Sequence, residues 1–233
     1  MDLDEYLYVS LSIPVPIGTA LLHLATWTYL SGNLKRREFK PIISGSENFL
    51  IEHLEKNYFA SLGLNFRFEE TYPGGGNLIL AEKGGLIGRL IHAMGVTYPV
   101  GDFRKRMRKP YQNHQLPHYF WDILNSNADG NMEAEQKKFL LKAILKIIFT
   151  DRLKTDVPKK GIYIQLNTHS SKNEAIEYGN FAVRFFNGTL AYQNCERIFS
   201  ESQIRVNANA NLYDCKLAIK PPQMIYLYQT ALS

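Results

Sequence analysis

Cysteine is scarce. Cys195 and Cys215 are the only two in 233 residues, which excludes a disulfide framework and a CxxC-type zinc site and points to a reducing, intracellular compartment. Charge is missing altogether from Tyr6 to Leu34, and residues 1–34 hold no Lys or Arg beside the acids Asp2, Asp4 and Glu5. That uncharged stretch is too broken for a membrane span. Pro14 and Pro16 interrupt it, and Thr19, His23, Thr26, Thr28 and Ser31 leave it short of the ~20 apolar residues a bilayer needs. No basic run precedes it, so it does not read as a signal peptide; the expectation is burial inside protein. The rest is a globular composition, 45% apolar with 14 Tyr and 13 Phe, richer in core-forming side chains than a disordered chain.

Net charge is small, +5 from 27 Lys and Arg against 22 Asp and Glu, but unevenly placed. Lys35-Arg36-Arg37-Glu38-Phe39-Lys40 sums to +3, Arg104-Lys105-Arg106-Met107-Arg108-Lys109 carries five positive charges with none opposing, and Arg152 to Lys160 adds +3. Such clusters suit a polyanionic partner, with a solvated surface as the alternative reading of each.

Pattern supplies the elements. Ile17 to Leu30 reads as a helix with little polar surface, started after Pro16, stopped at Ser31-Gly32, and so placed inside the fold. Short β segments over Leu34 to Ser44 precede an amphipathic helix from Glu47 closed by Gly63. Asn65 to Glu69 alternates, with Phe66 and Phe68 on one face and Asn65 and Arg67 on the other, and a Pro73-Gly74-Gly75-Gly76 turn leads into the strand from Asn77, so this is a hairpin. Leu86 to Gly95 forms a short helix. Residues 97–136 are basic and rich in Pro, Asn and Gln, a linker with an aromatic anchor at Tyr119, Phe120 and Trp121.

The order then repeats. A helix ends near Asp151, a strand runs from Gly161 to His169, a helix spans Lys172 to Phe186, strands are expected near Gln193 to Phe199 and Tyr213 to Lys220, and a last helix follows Pro221-Pro222. This predicts modules 1–96 and 137–233 joined by the linker, and an internal duplication. Gly74-Gly75-Gly76 lacks the Lys-Ser/Thr of a phosphate loop, and His114, His118 and His169 lack zinc spacing. His23 reads as a core residue.

With the leading helices ending Leu24-Ala25-Thr26-Trp27-Thr28-Tyr29-Leu30-Ser31-Gly32 and Ile144-Leu145-Lys146-Ile147-Ile148-Phe149-Thr150-Asp151-Arg152, the chain resembles the monomeric, two-repeat LAGLIDADG family of homing endonucleases and maturases. The resemblance implies an α+β fold of two αββαββα modules in pseudo-two-fold tandem, a monomer whose antiparallel sheets form a saddle-like face for nucleic acid. It also implies one acidic residue per motif helix holding Mg²⁺ at the scissile phosphates. Asp151 stands at that position in the second motif, but Ser31 stands in the first. The expectation is therefore binding without double-strand cleavage and no cofactor, Mg²⁺ serving only a residual nuclease. A nickase relying on Asp151, or a site rebuilt from Asp2, Asp4 or Glu5, is the enzymatic alternative; a structural subunit or RNA-binding cofactor of a ribonucleoprotein is the other.

On that resemblance, alternate strand residues face the groove. Asn65 and Arg67 in the first module, and Tyr163, Gln165, Asn167, Lys216 and Lys220 in the second, are candidate base readers or backbone contacts of duplex DNA or structured RNA. Lys35, Arg36, Arg37, Lys40, Arg104, Lys105, Arg106, Arg108, Lys109, Lys159 and Lys160 are the candidate phosphate contacts.

Overall fold

A computed structural model describes residues 15–35, 38–60, 64–81, 84–96, 117–126, 134–156 and 161–230. The chain divides into two units, Met1–Gln112 and Asn113–Ser233. The first runs α1 (Val15–Ser31), β1 (Gly32–Leu34), β2 (Pro41–Ser46), α2 (Phe49–Phe59), β3 (Phe66–Tyr72), β4 (Gly75–Leu80) and α3 (Gly84–Ala93). The second opens with α4 (His118–Asn125) and then runs α5 (Ala134–Arg152), β5 (Leu153–Asp156), β6 (Gly161–His169), α6 (Lys172–Tyr192), β7 (Ile204–Asn209), β8 (Leu212–Ile219) and α7 (Pro221–Thr230). Each unit builds one four-stranded antiparallel sheet, in the orders β1-β2-β4-β3 and β5-β6-β8-β7. The fold is α+β, with the αββαββα order present twice. Among the described residues no helix is long and apolar enough to cross a membrane.

The uncharged stretch becomes α1. From Leu21 to Ser31 every side chain except half-buried His23 is buried, and the Thr26 hydroxyl donates to the Leu22 carbonyl at 2.7 Å, so its polar group costs the core little. Trp27 meets Phe49 of α2 with ring centroids 5.7 Å apart, and Phe59 at the far end of α2 stacks on Phe66 of β3 at 4.7 Å. Helix α2 is wound in the wider π form. The alternation expected around Asn65 holds: Phe66 is buried beside Leu78 and Leu80, while Arg67 is exposed. Helix α3 packs so closely on the β1–β2 loop that a Cβ at Gly88 would lie 1.4 Å from the Phe39 carbonyl oxygen. Phe39 itself has φ 54, and its ring carries the Arg89 guanidinium at 5.0 Å.

In the second unit the aromatic anchor is α4. Tyr119 and Phe120 are buried, and Phe120 stacks on Phe185 of α6 at 4.8 Å. Lys137 of α5 is 4% exposed; its ammonium donates to the Ser126 carbonyl at 2.6 Å and lies 4.4 Å from the Tyr192 ring centroid, tying α4, α5 and α6 together. Burial lowers the pKa of this lysine.

Two sequence expectations are corrected here. Helix α6 continues past Phe186 to Tyr192 and ends in a Schellman motif, with Asn194 at φ 59 and the Cys195 N–H donating to the Leu190 carbonyl at 2.8 Å. The strand expected over Gln193 to Phe199 is an irregular segment, and β7 lies at Ile204–Asn209. Side chains take the place of a strand partner there. Asn187 exchanges two hydrogen bonds with the Phe199 backbone at 2.8 and 3.0 Å, the Gln223 amide donates to the Ile198 carbonyl at 2.5 Å, and the Tyr226 hydroxyl accepts from the Glu196 N–H at 2.6 Å.

Gly88→Ala is expected to lower stability by about 2–3 kcal/mol, since forced overlap with the Phe39 carbonyl outweighs the ~1 kcal/mol gain in helix propensity. Urea unfolding of the two proteins measures it, and a stabilised variant would contradict the packing. His23 gives a pH dependence. Burial lowers its pKa from 6.5 to about 4, so the unfolded chain takes up a proton below pH 6.5 that the folded chain refuses until about pH 4. Stability should fall across that window by up to about 3 kcal/mol. His23→Gln should flatten this part of the pH–stability curve, and an unchanged curve would refute the assignment.

Candidate nucleic-acid interface

Helices cover one face of each sheet, so strand parity decides which side chains are left for a partner. In the second unit Ile164, Leu166, Cys215, Leu217 and Ile219 are buried. Tyr163, Gln165, Asp214, Lys216 and Ala218 have the opposite parity and turn outward. Hydrogen-bonded pairing aligns them in cross-strand rows. Lys154 is level with Tyr163 and Ala218, Gln165 with Lys216 and Arg205, and Thr168 with Asp214 and Asn207. Lys154, Arg205 and Asn207 are exposed.

The rows are organised by short-range contacts. The Lys216 ammonium lies 4.6 Å from the Tyr163 ring centroid, a cation–π arrangement that holds both side chains over the sheet. One terminal nitrogen of Arg205 donates to the Ser202 and Ile204 carbonyls at 2.6 and 3.0 Å. The Asp214 carboxylate accepts from the Thr168 hydroxyl at 2.9 Å and the Asn209 amide at 3.1 Å.

The outer face of the first sheet is different. Its rows are Asn33, Ile42, Ile79 and Arg67, then Ser44, Asn77 and Glu69. Ser44 donates to the Asn77 side-chain oxygen at 2.7 Å, and Arg67 is ion-paired with Glu69. Asn65 is exposed one residue ahead of β3 and accepts from the Ala81 N–H at 2.9 Å through its carbonyl. Lys35 and Lys40 both pair with Glu38, at 2.7 and 3.5 Å.

Of the candidates read from the sequence, the structure brings Tyr163, Gln165 and Lys216 together, with Asn167 in the bulge between Gln165 and Thr168 and Lys220 exposed just after β8. Arg36, Arg37, Arg104, Lys105, Arg106, Arg108, Lys109, Lys159 and Lys160 lie outside the described residues, as do Asp2, Asp4 and Glu5. Lys154, Arg205 and Asn207 were missed. For the last two the signal is the period-two run Ile204-Arg205-Val206-Asn207-Ala208-Asn209, hidden when the strand is placed before Ser200.

Asp151 stands at the end of α5, 10% exposed, with its carboxylate 2.7 Å from the Arg152 guanidinium. Ser31 is buried at the end of α1. The sheets set Gly32, Ile43, Leu78 and Phe68 level in one unit, and Leu153, Ile164, Leu217 and Ile204 level in the other. That register equates Ser31 with Arg152 and Asp151 with Leu30, one place from the motif alignment. At the end of α1 the buried Ser31 hydroxyl is neutral and would contribute little charge to a hard divalent cation, and at the end of α5 the Asp151 carboxylate lies against the Arg152 guanidinium with no hydrogen bond between Oδ2 and Nε. Among the described residues no cluster of three or more His, Cys, Asp or Glu is arranged to hold a metal ion.

Neither a protein-family model nor a curated protein sequence matches the chain. Among solved structures it is similar to mesophilic variants of the homing endonuclease I-DmoI, at TM-score 0.47 and 10% identity over 94% of this chain and 98% of that one. I-DmoI in complex with DNA and Ca gives TM-score 0.48 and 11% identity over 92% and 90% of the two chains. I-DmoI in complex with DNA and Mn gives 0.45 and 13% over 94% and 98%.

The β7–β8 hairpin that presents Arg205 and Asn207 turns through Ala210 at φ 55, a left-handed conformation that costs a residue bearing a Cβ. Ala210→Gly should therefore stabilise the second unit by up to about 1 kcal/mol, read as a higher urea midpoint at unchanged slope. A lower midpoint would show that the turn is not under this strain.

Proposed function

We propose that the chain is a nucleic-acid-binding protein of LAGLIDADG homing-endonuclease descent, which takes duplex DNA on the outer face of its second sheet and does not cut it. One observation carries this reading: Lys154, Tyr163, Gln165, Lys216, Arg205 and Asn207 stand in cross-strand register on the face opposite the helices. Lys154 and Lys220 supply sequence-independent attraction to phosphates, and the Arg, Lys, Gln and Asn side chains at alternate strand positions can hydrogen-bond base edges in a groove wide enough for a β-ribbon. The expectation of no strand cleavage is supported by the neutral Ser31 at the end of α1 and by the contact of Asp151 with Arg152 at the end of α5, since hydrolysis of this type needs carboxylates left to hold metal.

Titration of fluorescent duplex DNA between 50 and 200 mM salt tests the proposal. Affinity should fall with salt, and Lys154→Ala and Lys220→Ala should each weaken binding to all sequences alike and reduce the log–log slope by about 1. Supercoiled plasmid incubated with Mg²⁺ or Mn²⁺ should stay unnicked. Absence of duplex binding at low salt, preference for a folded RNA competitor, or nicking abolished by Asp151→Asn would overturn it.

A further inference from the structure

The two sheets share a strand order but differ in chemistry. Counted from the first strand residues Gly32 and Leu153, the row Ser44, Asn77 and Glu69 of the first sheet corresponds to the row Gln165, Lys216 and Arg205 of the second. Arg67 and Glu69 compensate each other on the first face, and Ser44 and Asn77 spend hydrogen-bonding capacity on one another. At matching positions the second face presents two cations and an amide, with Lys154 in the adjoining row.

We infer that sequence discrimination resides in the second unit, and that the row Gln165–Lys216–Arg205 reads a short, guanine-containing purine stretch; this rests on the duplex-binding reading above. Neighbouring strands lie about 4.8 Å apart, so three residues in a row span about 10 Å. That covers about three base steps at 3.4 Å each. Arg and Lys fit guanine O6 and N7, and Gln fits adenine N6 and N7. Two of the three side chains are preset. Arg205 is fixed through one nitrogen to the Ser202 and Ile204 carbonyls, and no described residue takes up its other, two-nitrogen edge. Lys216 is held over Tyr163. Such side chains lose less rotamer freedom on contact with a base edge, which favours selective binding. On the first face the Glu69 carboxylate meets its own Arg67, and its charge opposes an approaching phosphate.

Selection of bound duplexes from a randomised DNA pool tests this, using the wild-type chain and Arg205→Lys, Arg205→Ala, Lys216→Ala, Asn77→Ala and Glu69→Ala, each checked for folding by circular dichroism. The wild type should enrich one block of about three guanine-containing base pairs, preferred about 10- to 100-fold over the same duplex with that G·C pair changed to A·T. Arg205→Lys, which keeps the charge and loses the fork, should reduce this preference to less than about 3-fold while binding random duplex nearly as well. Arg205→Ala and Lys216→Ala should lose it too, and Asn77→Ala and Glu69→Ala should retain it. Two separated blocks of equal information, or equal loss on substituting Asn77 or Glu69, would overturn the inference while leaving DNA binding intact. Retention of no duplex at low salt would instead refute the binding proposal beneath it.

Discussion

Among the described residues helices pack on one face of each antiparallel sheet, and in the second sheet this one-sided burial decides what the strand residues can do. Side chains alternate across a strand, so a buried Leu217 or Cys215 obliges Lys216 between them to face away from the helices. The same parity places Gln165 beside Lys216 and Arg205 beside both, because pairing of β6, β8 and β7 permits no other row. A one-residue slip would bury these charges and expose Ile164, Leu217 and Ile219, at a cost of several kcal/mol in lost apolar burial alone. The apolar core therefore fixes the polar face.

Close approaches fix the ends of the sheets in a similar way. Gly32 is required at the α1–β1 junction because a Cβ there would lie 1.8 Å from the Ile42 carbonyl oxygen. Leu153 occupies the level position in the second unit. The glycine that closes the first motif is thus explained by strand packing, independently of any chemistry at the helix end. Aligning the two motif segments by their last residues, without this steric marker in the second, leaves the one-place ambiguity that the sheet register exposes.

What the sequence displayed depended on whether the determining contact was local. The absence of charge from Tyr6 to Leu34 announced α1, the Phe66/Arg67 alternation and the glycine turn announced the β3–β4 hairpin, and the Ile162-Ile164-Leu166 spacing announced β6. The end of α6 was hidden because Asn187-Gly188 looks like a stop. Gly188 instead accommodates Leu124 of α4, whose Cδ2 would be 2.7 Å from a Cβ at that position, and Asn187 reaches the Phe199 backbone. Both reasons lie far away in sequence. With the helix end placed at Phe186, the next strand falls at Gln193 to Phe199, and Arg205 and Asn207 lie outside the expected face.

Local pairing also changes the meaning of the basic clusters. Lys35 and Lys40 look free in the sequence, but Glu38 sits between them and binds both. Exposed pairs of this kind contribute little to stability, typically under about 1 kcal/mol. Their effect on a polyanion is larger in proportion, because each compensated cation offers less attraction to phosphate. The same logic reaches the one acid expected to hold metal, since the positive charge beside Asp151 is Arg152 of the same helix. A centre for phosphate hydrolysis needs carboxylates whose charge is left for cations, whereas a reading face needs cations whose charge is left for phosphates. Among the described residues of the second unit, cations stand on the outer face of the sheet while the Asp151 carboxylate lies against Arg152 at the helix end, and the proposed recognition without hydrolysis rests on this division of charge.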